Sequence, residues 1–262
     1  MEYIYNILSS EEAAKTLEHL ISVPFSDIKE YYKTEFKNEY ISDAIRAIAT
    51  RYGKFPPHHE DWTFVFSHIT TSANNCASYK QNGILNLIQS YDNKMTELRT
   101  FLDSHDIFID ISNKTIKYKG KSYDLSYTHP ILEEQRNNYM LMYKYEKDFA
   151  ICGFLVNNTS IPYHGYVHER PEIFKNIDDI LGTALADEWK NSNHLPYEII
   201  AKTTGCNIVY PDCADHNADQ RDSYYLEEAY CIACGESKQL AIKLKDHVHI
   251  PSTDIIDIHP YL

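Results

Sequence analysis

The stretch WTFVFSHITTSANNCASYKQNGILNL, residues 62–87, decides how this chain is read. Its first part is short, rich in β-forming residues and apolar at the centre, Phe64-Val65-Phe66, which predicts a buried strand. His68, Thr70 and Thr71 stand at the exit of that strand. The polar segment that follows predicts a short helix, capped by Ser72 or Asn74 and stopped by Gly83, and Ile84 opens a second apolar segment.

Upstream, SSEEAAKTLEHLI opens with a serine cap and acidic residues in its first turn, and Ala14, Leu17 and Ile21 repeat at helical spacing. EYISDAIRAIATRYG repeats the pattern through Ile41, Ala44, Ile45 and Ile48 and stops at Gly53. The prolines of KFPPHHED then break any helix. Residues 1–55 therefore read as a helical N-terminal extension and residues 56–262 as one α+β domain with a mixed or antiparallel β core.

Downstream, KMTELRTFLDSHDI predicts a helix and IFIDISNKTIKYKGKSYDLS alternates in period two around two turn signals, the pattern of a hairpin or meander. Residues 131–150 return to helix, and AICGFLVN finishes it or forms a strand. A further helix runs from Pro171. PYEIIAKTTGCNIVY, YYLEEAYCIACG, KQLAIKLK and DIIDIHPY supply strands near the C-terminus.

At 262 residues, 43% of them hydrophobic and with 22 tyrosines, the chain can bury a core without disulfides. No run reaches the roughly 18 apolar residues of a membrane helix, and the start MEYIYNILSSEEAAK lacks the form of a signal peptide. A cytoplasmic protein with no membrane partner is the expectation, its six cysteines serving as thiols or metal ligands. The formal net charge of -13 argues against a broad grip on extended duplex nucleic acid.

The segment SHITTSANNCASYKQNGIL resembles the first motif of the histidine-type ADP-ribosyltransferases, the group that includes poly(ADP-ribose) polymerases and toxins that modify nucleic acid. The matching positions are His68, Thr70 and Gly83-Ile84. The resemblance implies an α+β fold of ADP-ribosyltransferase type and NAD as substrate. His68 would bind the nicotinamide ribose from a rigid strand exit, with Thr70 as a neighbouring polar contact. A tyrosine that stacks on nicotinamide would come from IPYHGYVHERPE, which offers Tyr163 and Tyr166, Tyr166 being preferred. A glutamate near the start of a late strand would stabilise the oxocarbenium-like transition state, and YYLEEAYCIA offers Glu227 and Glu228. The order His, Tyr, Glu along the chain is that of the family. Bacterial members are often toxins or phage-defence proteins, and the acceptor would be a protein or an exposed nucleotide.

Cys213 and His216 in CADH, and Cys231 and Cys234 in CIACG, form a second constellation, the two pairs separated by residues 217–230. Two such turns can close a tetrahedral, structural zinc site, with Cys206 as a substitute ligand. If residues 227–235 are instead a plain strand, the two cysteines face opposite ways and pack as small apolar groups. The His pair of PPHHED is a weaker metal candidate, and His168 and Arg170 offer contacts to a diphosphate or a surface ion pair. A second functional class stays open: a non-catalytic acidic interaction protein, zinc-stabilised, that binds and blocks a basic protein partner.

Overall fold

The computed structural model describes residues 2–36, 40–54, 56–128, 132–158, 166–209 and 217–261. In chain order the elements are β1 (Tyr3–Tyr5), α1 (Ser10–Ile21), α2 (Phe25–Glu35), α3 (Ile41–Tyr52), β2 (Trp62–Ser72), α4 (Ala77–Asn82), α5 (Leu87–Asp92) and α6 (Glu97–Ser104). The meander β3 (Ile107–Asp110), β4 (Thr115–Tyr118) and β5 (Lys121–Asp124) follows, then α7 (Arg136–Glu146) and β6 (Cys152–Val156). The chain closes with α8 (Ile173–Leu181), α9 (Leu185–Asn191), β7 (Leu195–Thr204), β8 (Ile208–Val209), α10 (Ala218–Ala233), β9 (Leu240–Leu244) and β10 (Ile255–Pro260). The fold is α+β. Among the described residues no helix is long and apolar enough to cross a membrane.

The chain divides into two compact units, residues 1–68, 152–162 and 200–245 in the first and residues 69–151, 163–199 and 246–262 in the second. Strands β2 and β7 each contribute residues to both units.

In the first unit β1 lies parallel to β2, with Tyr3 opposite Trp62 and Tyr5 opposite Phe64. β6 pairs antiparallel with β2 at Ser67 and Phe154, and then with β9, which also takes the short β8. The strands are apolar enough to be buried, and an aromatic nucleus grows on them. Phe64 lies 4.8 Å from Tyr5 and 4.9 Å from Tyr225 between ring centroids. The Tyr5 hydroxyl donates to the Tyr225 carbonyl at 2.9 Å. Helix α1 starts as its sequence predicts, with the Ser9 hydroxyl accepting the Glu12 N–H, and it buries Leu17, Leu20 and Ile21. It packs on α10, and α3 packs on α2 and α10.

The second unit holds the antiparallel meander, in register from Ile107 opposite Tyr118 to Thr115 opposite Asp124. Its core gathers Leu102, Ile109, Leu141, Tyr145, Phe174 and Trp189. The single helix expected from Pro171 is two, because Gly182 takes a left-handed conformation, φ 67°, and ends α8. Helix α4 starts at Ala77 with Cys76 as its N-cap and no side-chain cap, so neither Ser72 nor Asn74 caps it as expected. Instead Ser72 Oγ accepts the Cys76 N–H and Asn74 Oδ1 the Ala77 N–H in the turn that leads in.

One strand expectation fails. YYLEEAYCIACG is not a strand: its first ten residues are the end of helix α10, and Cys234 and Gly235 form the turn that follows. Its tyrosines, cysteines and isoleucine favour β structure locally, yet Asp222, Tyr225, Leu226, Ala229, Tyr230 and Ile232 bury one face at helical spacing. The helix also begins with a capping box, Asn217 with Gln220, a signal present in the sequence as Asn-Ala-Asp-Gln.

Candidate functional site

Strand β2 holds His68 between two buried neighbours, Ser67 and Ile69, and leaves it half-buried, with Thr70 on the same side by strand alternation. The His68 Nδ1 lies 2.8 Å from the Cys152 carbonyl oxygen. A carbonyl can only accept, so Nδ1 carries the proton and Nε2 is the acceptor nitrogen of the ring. Burial favours the neutral ring, so it lowers the His68 pKa and outweighs the Cys152 carbonyl, which acts in the opposite direction. Gly153 lets β6 come this close, since a Cβ there would stand 2.4 Å from the Ser67 carbonyl oxygen.

In the second unit, Thr70 Oγ1 and the Tyr79 hydroxyl are 2.6 Å apart, and burial pushes the Tyr79 phenol up to about 12. Gly83 has a structural reason of its own. It sits at φ 77°, and a Cβ would fall 1.9 Å from the Ile250 carbonyl oxygen, beside the bridge by which Ile84 pairs with Ile250. Tyr166 is exposed, with the Arg170 guanidinium 5.9 Å from its ring centroid. Tyr163 lies outside the described residues, as do Cys213 and His216.

Glu227 and Glu228 stand on helix α10 of the first unit and not on a strand, which corrects the placement the resemblance implied. Glu228 is tied to the Lys238 ammonium. Among the described residues the Glu227 carboxylate has no hydrogen bond or ion pair, and burial, followed by the charge of Glu228, raises its pKa. Cys231 lies in the last turn of α10 and Cys234 is its C-cap, followed by Gly235 at φ 89°, so the plain strand expected there does not form. Burial pushes the Cys231 thiol up to about 12, and Cys234 is exposed.

The first unit also assembles a cluster that sequence reasoning gave little weight. The Asp222 carboxylate on α10 accepts at Oδ1 from the backbone N–H of His59 at 2.8 Å and meets the His59 ring Nδ1 at 2.6 Å. Its Oδ2 lies 2.8 Å from His58 Nδ1. Gly205 makes room for this segment, as a Cβ there would come within 1.9 Å of the His59 carbonyl oxygen. Only the pair His-His in PPHHED marked the place, because its aspartate partner comes 163 residues later.

The chain matches no protein-family model, and comparison with curated proteins and with solved structures finds no match.

Proposed function

We propose that this chain is an NAD-consuming transferase that moves ADP-ribose onto a macromolecule, and the observation that carries the reading is the setting of His68. Its tautomer is fixed by the Cys152 carbonyl and its ring is kept neutral by burial. An acceptor nitrogen at Nε2 on a rigid strand is what a ribose hydroxyl needs as a partner. In the reaction the bond between ribose C1′ and the nicotinamide ring nitrogen breaks, and nicotinamide leaves with the electron pair. An acceptor oxygen or nitrogen closes the new bond to C1′ and gives up its proton.

Of the two adjacent carboxylates, Glu227 is the better supported for stabilising the positive charge that develops on the ribose. Glu228 already neutralises Lys238, whereas among the described residues the Glu227 carboxylate has no such ion pair. The helical setting of both departs from the strand glutamate of the family, so His68 bears more of the reading than they do. The net charge of -13 favours a protein or a single exposed nucleotide as acceptor over duplex nucleic acid.

The test is incubation of the purified chain with labelled NAD in a cell extract, beside a thermal scan with and without NAD. Label transfer and a melting temperature raised by NAD are expected, and both should vanish in His68→Ala. Label transfer that survives His68→Ala would end this reading. No transfer and no thermal shift in the parent would favour the acidic interaction protein instead.

A further inference from the structure

Helix α10 carries Asp219 and Asp222 on adjacent turns, and the segment before β2 brings His58 to them. We propose that His58, Asp219 and Asp222 form a binding site for a divalent ion of the zinc class. One nitrogen of His58 and one oxygen of each carboxylate all lie within 4.8 Å of one another. The edge from His58 Nδ1 to Asp222 Oδ2 is 2.8 Å. Ligand atoms in a tetrahedral site with bonds of about 2.0–2.1 Å stand roughly 3.3 Å apart. Small rotations of the exposed partners close the difference, because the His58 side chain is 59% exposed while that of Asp222 is only 10% exposed. The buried ligand is fixed and the exposed ones adjust.

Three features set this cluster apart from an ordinary acidic surface. Its donors are mixed, one imidazole nitrogen and two carboxylate oxygens, a set suited to zinc and its neighbours rather than to calcium or magnesium. The second feature is the support behind Asp222. His59, 1% exposed, donates its backbone N–H to the Asp222 oxygen turned away from His58 and holds its ring against the same atom. Outer hydrogen bonds of this kind orient a ligating carboxylate.

The third feature is that Asp219 is left for a cation. Among the described residues its carboxylate makes no hydrogen bond or ion pair. The neighbouring Arg46 donates to the Asp219 backbone carbonyl and the Ser223 hydroxyl. Three protein ligands leave the fourth position of a tetrahedral ion to water. Within the first unit the ion would clamp the segment 56–61 to helix α10. This site is separate from the cysteine pair at the other end of α10.

The experiment takes the full chain, strips it with a chelator and titrates it with Zn²⁺ by calorimetry, following the melting temperature in parallel. One ion per chain is expected, with a melting temperature that rises with Zn²⁺. His58→Ala and Asp219→Asn, both at exposed positions, should keep the parent's circular dichroism and lose affinity about tenfold or more. The double variant Cys231→Ser/Cys234→Ser should bind as the parent does. The proposal is overturned if the stripped chain takes up no Zn²⁺, or if His58→Ala and Asp219→Asn bind as tightly as the parent. Uptake lost only in the cysteine variant would assign the ion to the thiols and overturn it equally. None of these outcomes depends on NAD.

Discussion

The His59 ring and the Asp222 carboxylate meet at 2.6 Å across 163 residues of chain, and both are buried. The carboxylate also takes the His59 backbone N–H at 2.8 Å, so one side chain satisfies two donors that have no water to turn to. Asp222→Ala strands both. We expect it to destabilise the protein by about 2–4 kcal/mol, measured as a lower urea midpoint with an unchanged slope. His58→Ala, at the exposed partner, should cost less than about 1 kcal/mol.

Gly83 and Gly120 separate two costs that are easily confused. Both have positive φ, 77° and 75°, but a Cβ at Gly83 would meet the Ile250 carbonyl at 1.9 Å while one at Gly120 meets nothing within 4 Å. Gly120→Ala should cost about 1 kcal/mol from the left-handed backbone alone. Gly83→Ala should cost at least about 2 kcal/mol, because the bridge between Ile84 and Ile250 must also move. Equal denaturation midpoints for the two variants would refute the steric account.

His68 should titrate below the ordinary histidine value, near 6.5, because burial disfavours its charged form. A lowered folded pKa means that the unfolded chain takes the proton first as pH falls. Stability should therefore drop as pH falls below about 6.5 and continue to drop until the folded pKa is reached. His68→Gln removes this part of the dependence. The check is the imidazole chemical shift against pH, paired with urea midpoints of parent and variant. A midpoint at or above the ordinary value would contradict the neutral ring on which the proposed ribose contact rests.

Phe64 contacts Tyr5 and Tyr225 at 4.8 and 4.9 Å between ring centroids and is fully buried. Phe64→Ala should cost about 3–5 kcal/mol through lost burial and the cavity left behind. Phe64→Leu, which keeps most of the volume, should recover much of that loss. Similar thermal midpoints for the two variants would show that the site collapses freely.

The sequence by itself determined those elements whose signal is local. The apolar run at Phe64-Val65-Phe66 became the buried part of β2, the periodic patterns became α1 and α3, and the alternation around SNK and KGK became the meander. Each rests on a period of two or 3.6 residues and on caps within a few positions, so no distant partner was needed. His68, expected at the exit of that strand, stands inside it, because β2 runs on to Ser72 with Ile69, Thr71 and Ser72 buried.

Only the tertiary structure decided the rest. Residues 224–233 carry β-forming side chains, and the choice of helix follows from burial of one α10 face, which packs on α1 and α3 from the other end of the chain. It moved Glu227 and Glu228 off the strand expected for them and set Cys231 in the last turn of the helix with Cys234 as its C-cap. It also joined His58 and His59 to Asp222, a meeting that no local pattern records because the partners are 164 and 163 residues apart. Local preferences of about 1 kcal/mol or less per residue yield to the burial of a whole helix face.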